Sequence, residues 1–381
     1  MKIVIYHNLL WARYKGAIFT RLYALCQSGG IDVEFVQIAE TVTHYARLGP
    51  VDLSYHQYPY RLLIRGDFND ASMLRVFWVI ARDLLRRRCD LVVLAGYESP
   101  QYWMMLALCM LLGRKRAVFC DSTALDNRKV PIREFAKRLF FSRCDGIFCY
   151  GTRSMEYIRG YGVPPARIFY PCQAAALPHG YQPEAVQATY DGAGATYTDP
   201  RFLFFGRLAV EKGVDDLLQA LRLVRASMPG ACLDLVGAGP LEAVLRARIL
   251  ELGLADAVTL HGARPLADLV PLLYRSVAMV VPSHREPWGL VINESLSYGC
   301  PVVVSDRCGC VPELIIEGVT GYSFPCANIE RLSAAMLAVV QLSADRPATA
   351  RRCLELMASF TPERAAAQIL AGCRQIIAGS A

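Results

Sequence analysis

Charge is scarce in this chain: 20% of its 381 residues are Asp, Glu, Lys or Arg, against 54% apolar residues. That balance excludes a disordered protein and leaves enough apolar surface for two domains of ordinary size. Long hydrophobic runs are missing too. The longest, Tyr102 to Leu112, has 11 residues, too few to cross a bilayer as a helix. Its default reading is a buried helix. The other reading is contact with a membrane surface, favoured by the basic residues Arg114, Lys115 and Arg116 at its end and by Arg86, Arg87 and Arg88. The apolar run at Met1–Tyr6 is too short for a signal peptide, so export by that route is not expected and a cytoplasmic location is. The 14 cysteines fall without a repeating Cys-x-x-Cys or Cys/His spacing, which fits free thiols in a reducing compartment and speaks against a metal site, Cys308-Gly-Cys310 included. No Asp-x-Asp occurs. The net charge of +7 is modest, better suited to an anionic small molecule or a lipid surface than to nucleic acid.

What the chain does have is alternation. Met1–Tyr6 reads as a strand and Ile18–Cys26 as the helix after it, followed by a strand over Ile31–Ile38 and a helix over Arg75–Arg88. Strands at Leu91–Ala95, Arg116–Cys120 and Gly146–Tyr150 then alternate with the apolar helix and a basic helix over Ile132–Ser142. Between Gln173 and Asp199 the pattern fades into Ala, Gly, Pro and Thr, including Asp191-Gly-Ala-Gly194, which reads as a linker with a short helix near Glu184. Strands resume at Arg201–Phe205, Cys232–Val236, Ala257–Leu260, Val277–Val281, Pro301–Ser305 and Tyr322–Phe324. The expectation is an α/β protein of two consecutive units, residues 1–172 and 200–361, joined by 173–199. Each carries a parallel sheet, and a ligand is expected in the cleft between them.

Polar residues concentrate where the second set of strands ends. After Val281, the segment Glu286-Pro287-Trp288-Gly289-Leu290 leads into a helical pattern containing Glu294. Pro287 suits a first helical turn, Gly289 admits a ligand close to the backbone, and the helix start attracts an anion. Gly206-Arg207-Leu208 ends another strand, with Lys212-Gly213 close behind. A guanidinium and an ammonium in one loop suit a diphosphate. Val236-Gly237-Ala238-Gly239-Pro240 closes a third strand with two glycines that admit a phosphate or nucleotide, and Arg264 follows a fourth. Each motif also has a plainer reading: helix caps, turns, and Lys or Arg facing water.

Taken together these residues resemble the retaining glycosyltransferases of family four, which have the GT-B fold, two Rossmann-like domains facing a cleft. The resemblance rests on Gly206-Arg207-Leu208 with Glu211-Lys212-Gly213, on Val236–Pro240, and on the pair Glu286/Glu294. It extends through Gly309, Pro312-Glu313, Glu317-Gly318 and Gly321, and is specific over 201–328. It implies an enzyme that moves a sugar from a nucleotide-sugar donor, which is a substrate rather than a cofactor, to a hydroxyl acceptor; the basic and greasy first domain makes a lipid-linked or surface glycan the expectation, with soluble acceptors left open. It also implies that Arg207 and Lys212 contact the diphosphate, Glu294 the ribose, Glu286 the sugar, and the amides near Gly289 and Leu290 the phosphates. The last helix, 362–381, would pack back on the first domain. With two cations on the leaving diphosphate, no metal is required.

The first domain departs from the family pattern. Cys120 stands where relatives carry histidine, so Asp121 becomes the candidate polar contact to donor sugar or acceptor, and Gly16 the candidate for close approach to the donor phosphates. Two rivals are open at this stage. One is an epimerase of nucleotide sugars, the other a partner protein that binds a donor without transferring it.

Overall fold

The structure, a computed structural model, describes residues 1–43, 50–125, 130–192 and 199–379. It divides into two compact units, Met1–Ala176 with Thr361–Ala381, and Leu177–Phe360.

Unit 1 is built on a parallel sheet of β1 (Lys2–Leu9), β2 (Asp32–Thr41), β3 (Tyr60–Asp67), β4 (Leu91–Leu94), β5 (Lys115–Cys120), β6 (Gly146–Cys149) and β7 (Ile168–Phe169). Their spatial order is β3-β2-β1-β4-β5-β6-β7, so the winding reverses between β1 and β4. Every residue of β4 and β6 is buried, because helices cover both faces. One face is covered by α2 (Met73–Leu85), α3 (Pro100–Leu111), α4 (Pro131–Ser142) and α5 (Thr152–Arg159). The other is covered by α1 (Arg13–Ser28) and the last helix. In α1 the buried positions 15, 18, 19, 22 and 26 form one stripe at helical spacing.

Two strands, β3 and β7, escape the reading of the sequence. In Tyr60–Asp67, at the sheet's edge, Ile64 alone is fully buried and Arg61 and Arg65 are exposed, so it lacks the continuous apolar run that marks a strand covered on both faces. Ile168–Phe169 is only two residues long.

Unit 2 begins with α6 (Pro183–Gly192). The expected linker, 173–199, is therefore not a bare connection: Val186 and Tyr190 are buried, and the Tyr190 hydroxyl donates to Tyr298 O at 2.8 Å. Within that stretch 193–198 lie outside the described residues. The sheet of unit 2 contains β8 (Arg201–Phe205), β9 (Cys232–Val236), β10 (Val258–Gly262), β11 (Ala278–Val281), β12 (Val302–Ser305) and β13 (Gly321–Phe324). All pairings are parallel in the order β10-β9-β8-β11-β12-β13, with the reversal between β8 and β11. The intervening helices are α7 (Val214–Ser227), α8 (Glu242–Glu251), α9 (Leu266–Arg275), α10 (Leu290–Ser297), α11 (Val311–Leu314), α12 (Ile329–Leu342) and α13 (Arg346–Met357).

The chain ends in α14 (Pro362–Ala378), capped by Thr361 Oγ1 accepting from Arg364 N. This helix returns to unit 1 and packs on α1, with Arg21 paired to Glu363 at 2.7 Å. It buries Ala366, Ile369, Cys373 and Ile376 in the core beneath β1, β4 and β6. All fourteen cysteines are free thiols. Among the described residues no helix is long and apolar enough to cross a membrane.

Candidate active site

Parallel sheets bind ligands beyond the carboxyl ends of their strands, where the strand order reverses. In unit 2 that point lies between β8 and β11. The loop after β8 carries Gly206, Arg207 and Lys212; the loop after β11 carries Glu286 and Gly289. The two loops meet there. Lys212 Nζ forms an ion pair with Glu286 Oε2, both side chains being mostly buried, while His284 N donates to Glu211 O at 2.9 Å. Gly289, the residue before α10, has φ 102°. A Cβ there would lie 3.4 Å from Glu286 Cγ and 2.9 Å from Ile292 Cδ1, so lysine, glutamate and helix start are neighbours. No side chain caps α10, which begins at Leu290. Of the first-turn amides Ile292 N donates to Gly289 O at 2.9 Å, so those of Leu290 and Val291 are the ones suited to an external anion.

Arg207 is half-exposed and pairs with Glu211, four residues on in the same loop. Each of the two cations thus has its own carboxylate, Glu211 for Arg207 and Glu286 for Lys212. Glu294 sits in the second turn of α10 and borders a narrow crevice lined by Phe205, Leu266 and Val291. Arg264 is exposed; its Nε donates to His261 O at 3.2 Å.

The glycines after β9 have a structural reason that spacing alone does not reveal. Gly206 N donates to Val236 O and Leu208 N to Ala238 O, both at 3.0 Å, and Leu241 N donates to Leu208 O at 3.1 Å. The two loops are laced together backbone to backbone. A Cβ on Gly237 would fall 1.8 Å from Gly206 O, and one on Gly239 2.3 Å from Leu208 O. Their missing side chains make room for the loop that carries Arg207. Cys308-Gly-Cys310 does the same for Glu286: Gly309 N donates to Glu286 O at 2.9 Å, and a Cβ on Gly309 would meet Pro287 O at 1.8 Å. Both flanking thiols are buried.

Unit 1 has its own reversal point, between β1 and β4, and a cavity of about 190 Å³ opens there, lined by residues that include His7, Lys15, Glu98, Asp121 and Tyr150. Asp121 stands at its exposed rim. Cys120 points the other way, fully buried in the core on the α3 face, where burial pushes its thiol well up. Gly16 faces His56, whose imidazole atoms would lie within 3.0 Å of a Cβ, so the glycine makes room for a side chain of its own unit.

Sequence reasoning missed Lys15. It occupies the first place in the apolar stripe of α1, a position at which an ammonium is out of character, and that was the available signal. It also missed Asp234, fully buried in β9, which accepts from Arg201, His261 and Arg275 at 2.7–3.3 Å. These partners satisfy a carboxylate inside the sheet and keep it structural.

Comparison with known proteins places unit 2 most firmly. Residues 191–353 match the family described as "Glycosyl transferases group 1". A glycogen synthase of Mycobacterium tuberculosis is 37% identical over 150 residues, which are 39% of this chain and 35% of that protein. A D-inositol 3-phosphate glycosyltransferase of Segniliparus rotundus is 31% identical over 182 residues, 47% of this chain and 40% of that one. The chain therefore spans about two fifths or less of the length of these curated relatives. Among solved structures, the sucrose-phosphate synthase of Thermosynechococcus elongatus superposes with a TM-score of 0.75 at 18% identity, covering 100% of both chains, a likeness of fold.

Proposed function

We propose that the protein is a retaining glycosyltransferase of the GT-B type. In this reading the reversal point of unit 2 grips the diphosphate of a nucleotide-sugar, and the sugar passes to a hydroxyl acceptor. The observation that carries the proposal is the convergence of Lys212, Glu286 and the uncapped start of α10 on one point between β8 and β11. The family match over the same stretch, and relatives named as glycosyltransferases, support it.

The chemistry follows from charge. As the bond from the anomeric carbon to the phosphate oxygen breaks, negative charge develops on the diphosphate. Lys212, Arg207 and the α10 amides are the groups at hand to stabilise it, and this requires no metal ion. To reach the phosphates, both cations exchange their present carboxylates for donor oxygens. Glu286, released from Lys212, then faces the sugar hydroxyls and positions the ring, while Glu294 holds the ribose. The acceptor hydroxyl attacks the face the nucleotide leaves and gives its proton to the departing phosphate oxygen, which conserves the anomeric configuration.

An acceptor carried on a lipid at the membrane surface is part of this proposal. Leu74, Trp78 and Leu85 lie along one exposed face of α2, and Ile132 and Phe135 along one of α4, with Arg75, Arg82, Arg86, Arg133 and Arg138 beside them. Apolar side chains flanked by arginines suit the interface of an anionic bilayer.

A thermal-shift screen of nucleotide-sugars and free nucleoside diphosphates tests the central claim, because a ligand of the native state raises its apparent stability. One base is expected to give a shift that Lys212→Ala and Glu294→Ala reduce. A wild-type protein unmoved by every nucleotide would refute the reading.

A further inference from the structure

Lys15 is the one described lysine sealed inside a unit: it is 1% exposed, and its Nζ has no hydrogen-bond partner. The ammonium lies 4.2 Å from the ring centre of Phe119 and 4.6 Å from that of Tyr150. Two ring faces offset part of the loss of hydration, but they accept none of its three N–H donors conventionally. A cation buried in this way is costly unless something else meets it. It lies beside open space, since Lys15 lines the cavity of about 190 Å³ at the reversal point of unit 1.

The cavity is polar along its length, and its charge is divided by depth. Buried Lys15, His7 and Tyr150 line the inner part, and exposed Glu98 and Asp121 stand at the mouth. Nδ1 of His7 faces two acceptors, Leu9 O at 3.2 Å and Gln37 Oε1 at 3.3 Å, so it carries the ring proton and Nε2 the lone pair. Burial holds the imidazole neutral, its pKa pushed down to about 3. Lys15 is therefore the positive charge of the interior, while the two carboxylates of the rim stay in water. At about 190 Å³ the cavity is smaller than the roughly 300–1,000 Å³ of pockets for drug-sized ligands, which points to a ligand of monosaccharide scale.

We propose that this cavity binds one acidic, hydroxyl-bearing ligand of monosaccharide size, with the oxygens of its carboxylate or phosphate on the Lys15 ammonium and its hydroxyls on Asp121 and Glu98 at the rim. The arrangement suits such a bipolar molecule better than a neutral sugar, which leaves the ammonium without an anion, or an inorganic anion, which leaves the rim unused. The inference stands on unit 1 alone and does not depend on the nucleotide-sugar reading of unit 2.

The full-length protein is titrated with glucuronate, glucose 6-phosphate and glucose by calorimetry at pH 7. The two acids separate a carboxylate ligand from a phosphate one. At least one is expected to bind tenfold or more tightly than glucose. Its affinity should weaken as pH rises through about 8, the value to which burial lowers the lysine from its ordinary range. The groups facing Lys15 are Tyr14 on its own helix, His7 of β1, and Asp121, Tyr150 and Cys172 beyond β5, β6 and β7, with Glu98 beyond β4 at the rim. Of these, burial holds His7 down near 3 and raises Tyr150 and Cys172 well above pH 8. Lys15→Met is expected to abolish the preference for the acid while the thermal shift given by a nucleoside diphosphate persists. Should that variant misfold, NMR of ¹³Cε-labelled lysines in the unmodified protein keeps the test decisive: the Lys15 signal should titrate near pH 8 and move to higher pH when the acid is added. Equal affinity for glucose and both acids, undiminished acid binding by Lys15→Met, or a Lys15 signal indifferent to all three compounds would overturn the proposal. Nucleotide binding in the absence of acid binding would sink this site and leave the reading of unit 2 intact.

Discussion

Lys212 and Glu286 lie 74 positions apart in the chain and share one ion pair. Both side chains are mostly buried, so removing one also leaves the other's charge unpaired, at a cost above the ~1 kcal/mol of a solvent-exposed pair. The contribution to chemistry is separate, because removing a preorganised charge from a developing oxyanion costs about 2.7–4 kcal/mol. Lys212→Ala should therefore lower kcat by roughly 10²–10³-fold in a protein that stays folded with a moderately lowered melting temperature. Steady-state kinetics alongside calorimetry check this, and unaltered kcat would remove Lys212 from the diphosphate site. That both residues lie at strand ends was legible in the sequence; their ion pair was not. Nor was the reason for Gly237 and Gly239. A glycine that admits a ligand and a glycine that admits a neighbouring carbonyl look alike in sequence, and only the positions of Gly206 O and Leu208 O separate the two.

The helices of unit 1 show both what periodicity reveals and what it conceals. The 11-residue apolar run ends as α3, whose Met105, Leu106 and Cys109 are buried, as the plainer of its two readings anticipated. Yet its last turn leaves Met110 and Leu111 exposed, and the larger apolar face belongs to α2. That helix has two sides. Val76, Ile80 and Leu84 enter the core, while Leu74, Trp78 and Leu85 remain outside, with Arg82 stacked 4.8 Å from the Trp78 ring. A hydrophobic count over the segment cannot tell one side from the other; the angular spacing can. If the outer side meets lipid, wild-type protein should sediment with vesicles containing anionic lipid, and Leu74→Ser with Trp78→Ser should reduce the bound fraction several-fold without lowering the melting temperature. Salt should weaken the association, since arginines supply part of it. Equal sedimentation of wild type and double variant would exclude this face. The edge strand β3 marks the opposite failing: its two exposed positions are both arginine and Ile64 alone is fully buried, so neither alternation nor an apolar run marks it in the sequence.

Across the molecule, the two-unit α/β architecture was readable because buried parallel strands advertise themselves as unbroken apolar runs, and most of the strands here are buried on both faces. Where unit 1 ends was not readable from periodicity. Its second segment begins at Thr361, beyond the whole of unit 2, and nothing local announces which sheet a distant amphipathic helix will join. The contact itself is close. Gly372 of α14 lies so near β6 and β7 that a Cβ there would come within 2.6 Å of Phe148 and 2.8 Å of Phe169. Gly372→Val should accordingly destabilise unit 1 by several kcal/mol through overpacking. Hydrogen exchange resolved by peptide would register this as lost protection in β1, β4 and β6, with unit 2 unchanged. Uniform loss across both units, or none, would contradict the assignment of this helix.

The return of α14 also sets an order of events during synthesis. Unit 2 has every strand and helix it needs once residue 360 has left the ribosome, whereas the sheet of unit 1 must wait, one side covered by α1 alone, until α14 emerges. Of the two units, the one begun earlier is completed later, and in that interval its exposed apolar surface is the one open to wrong association.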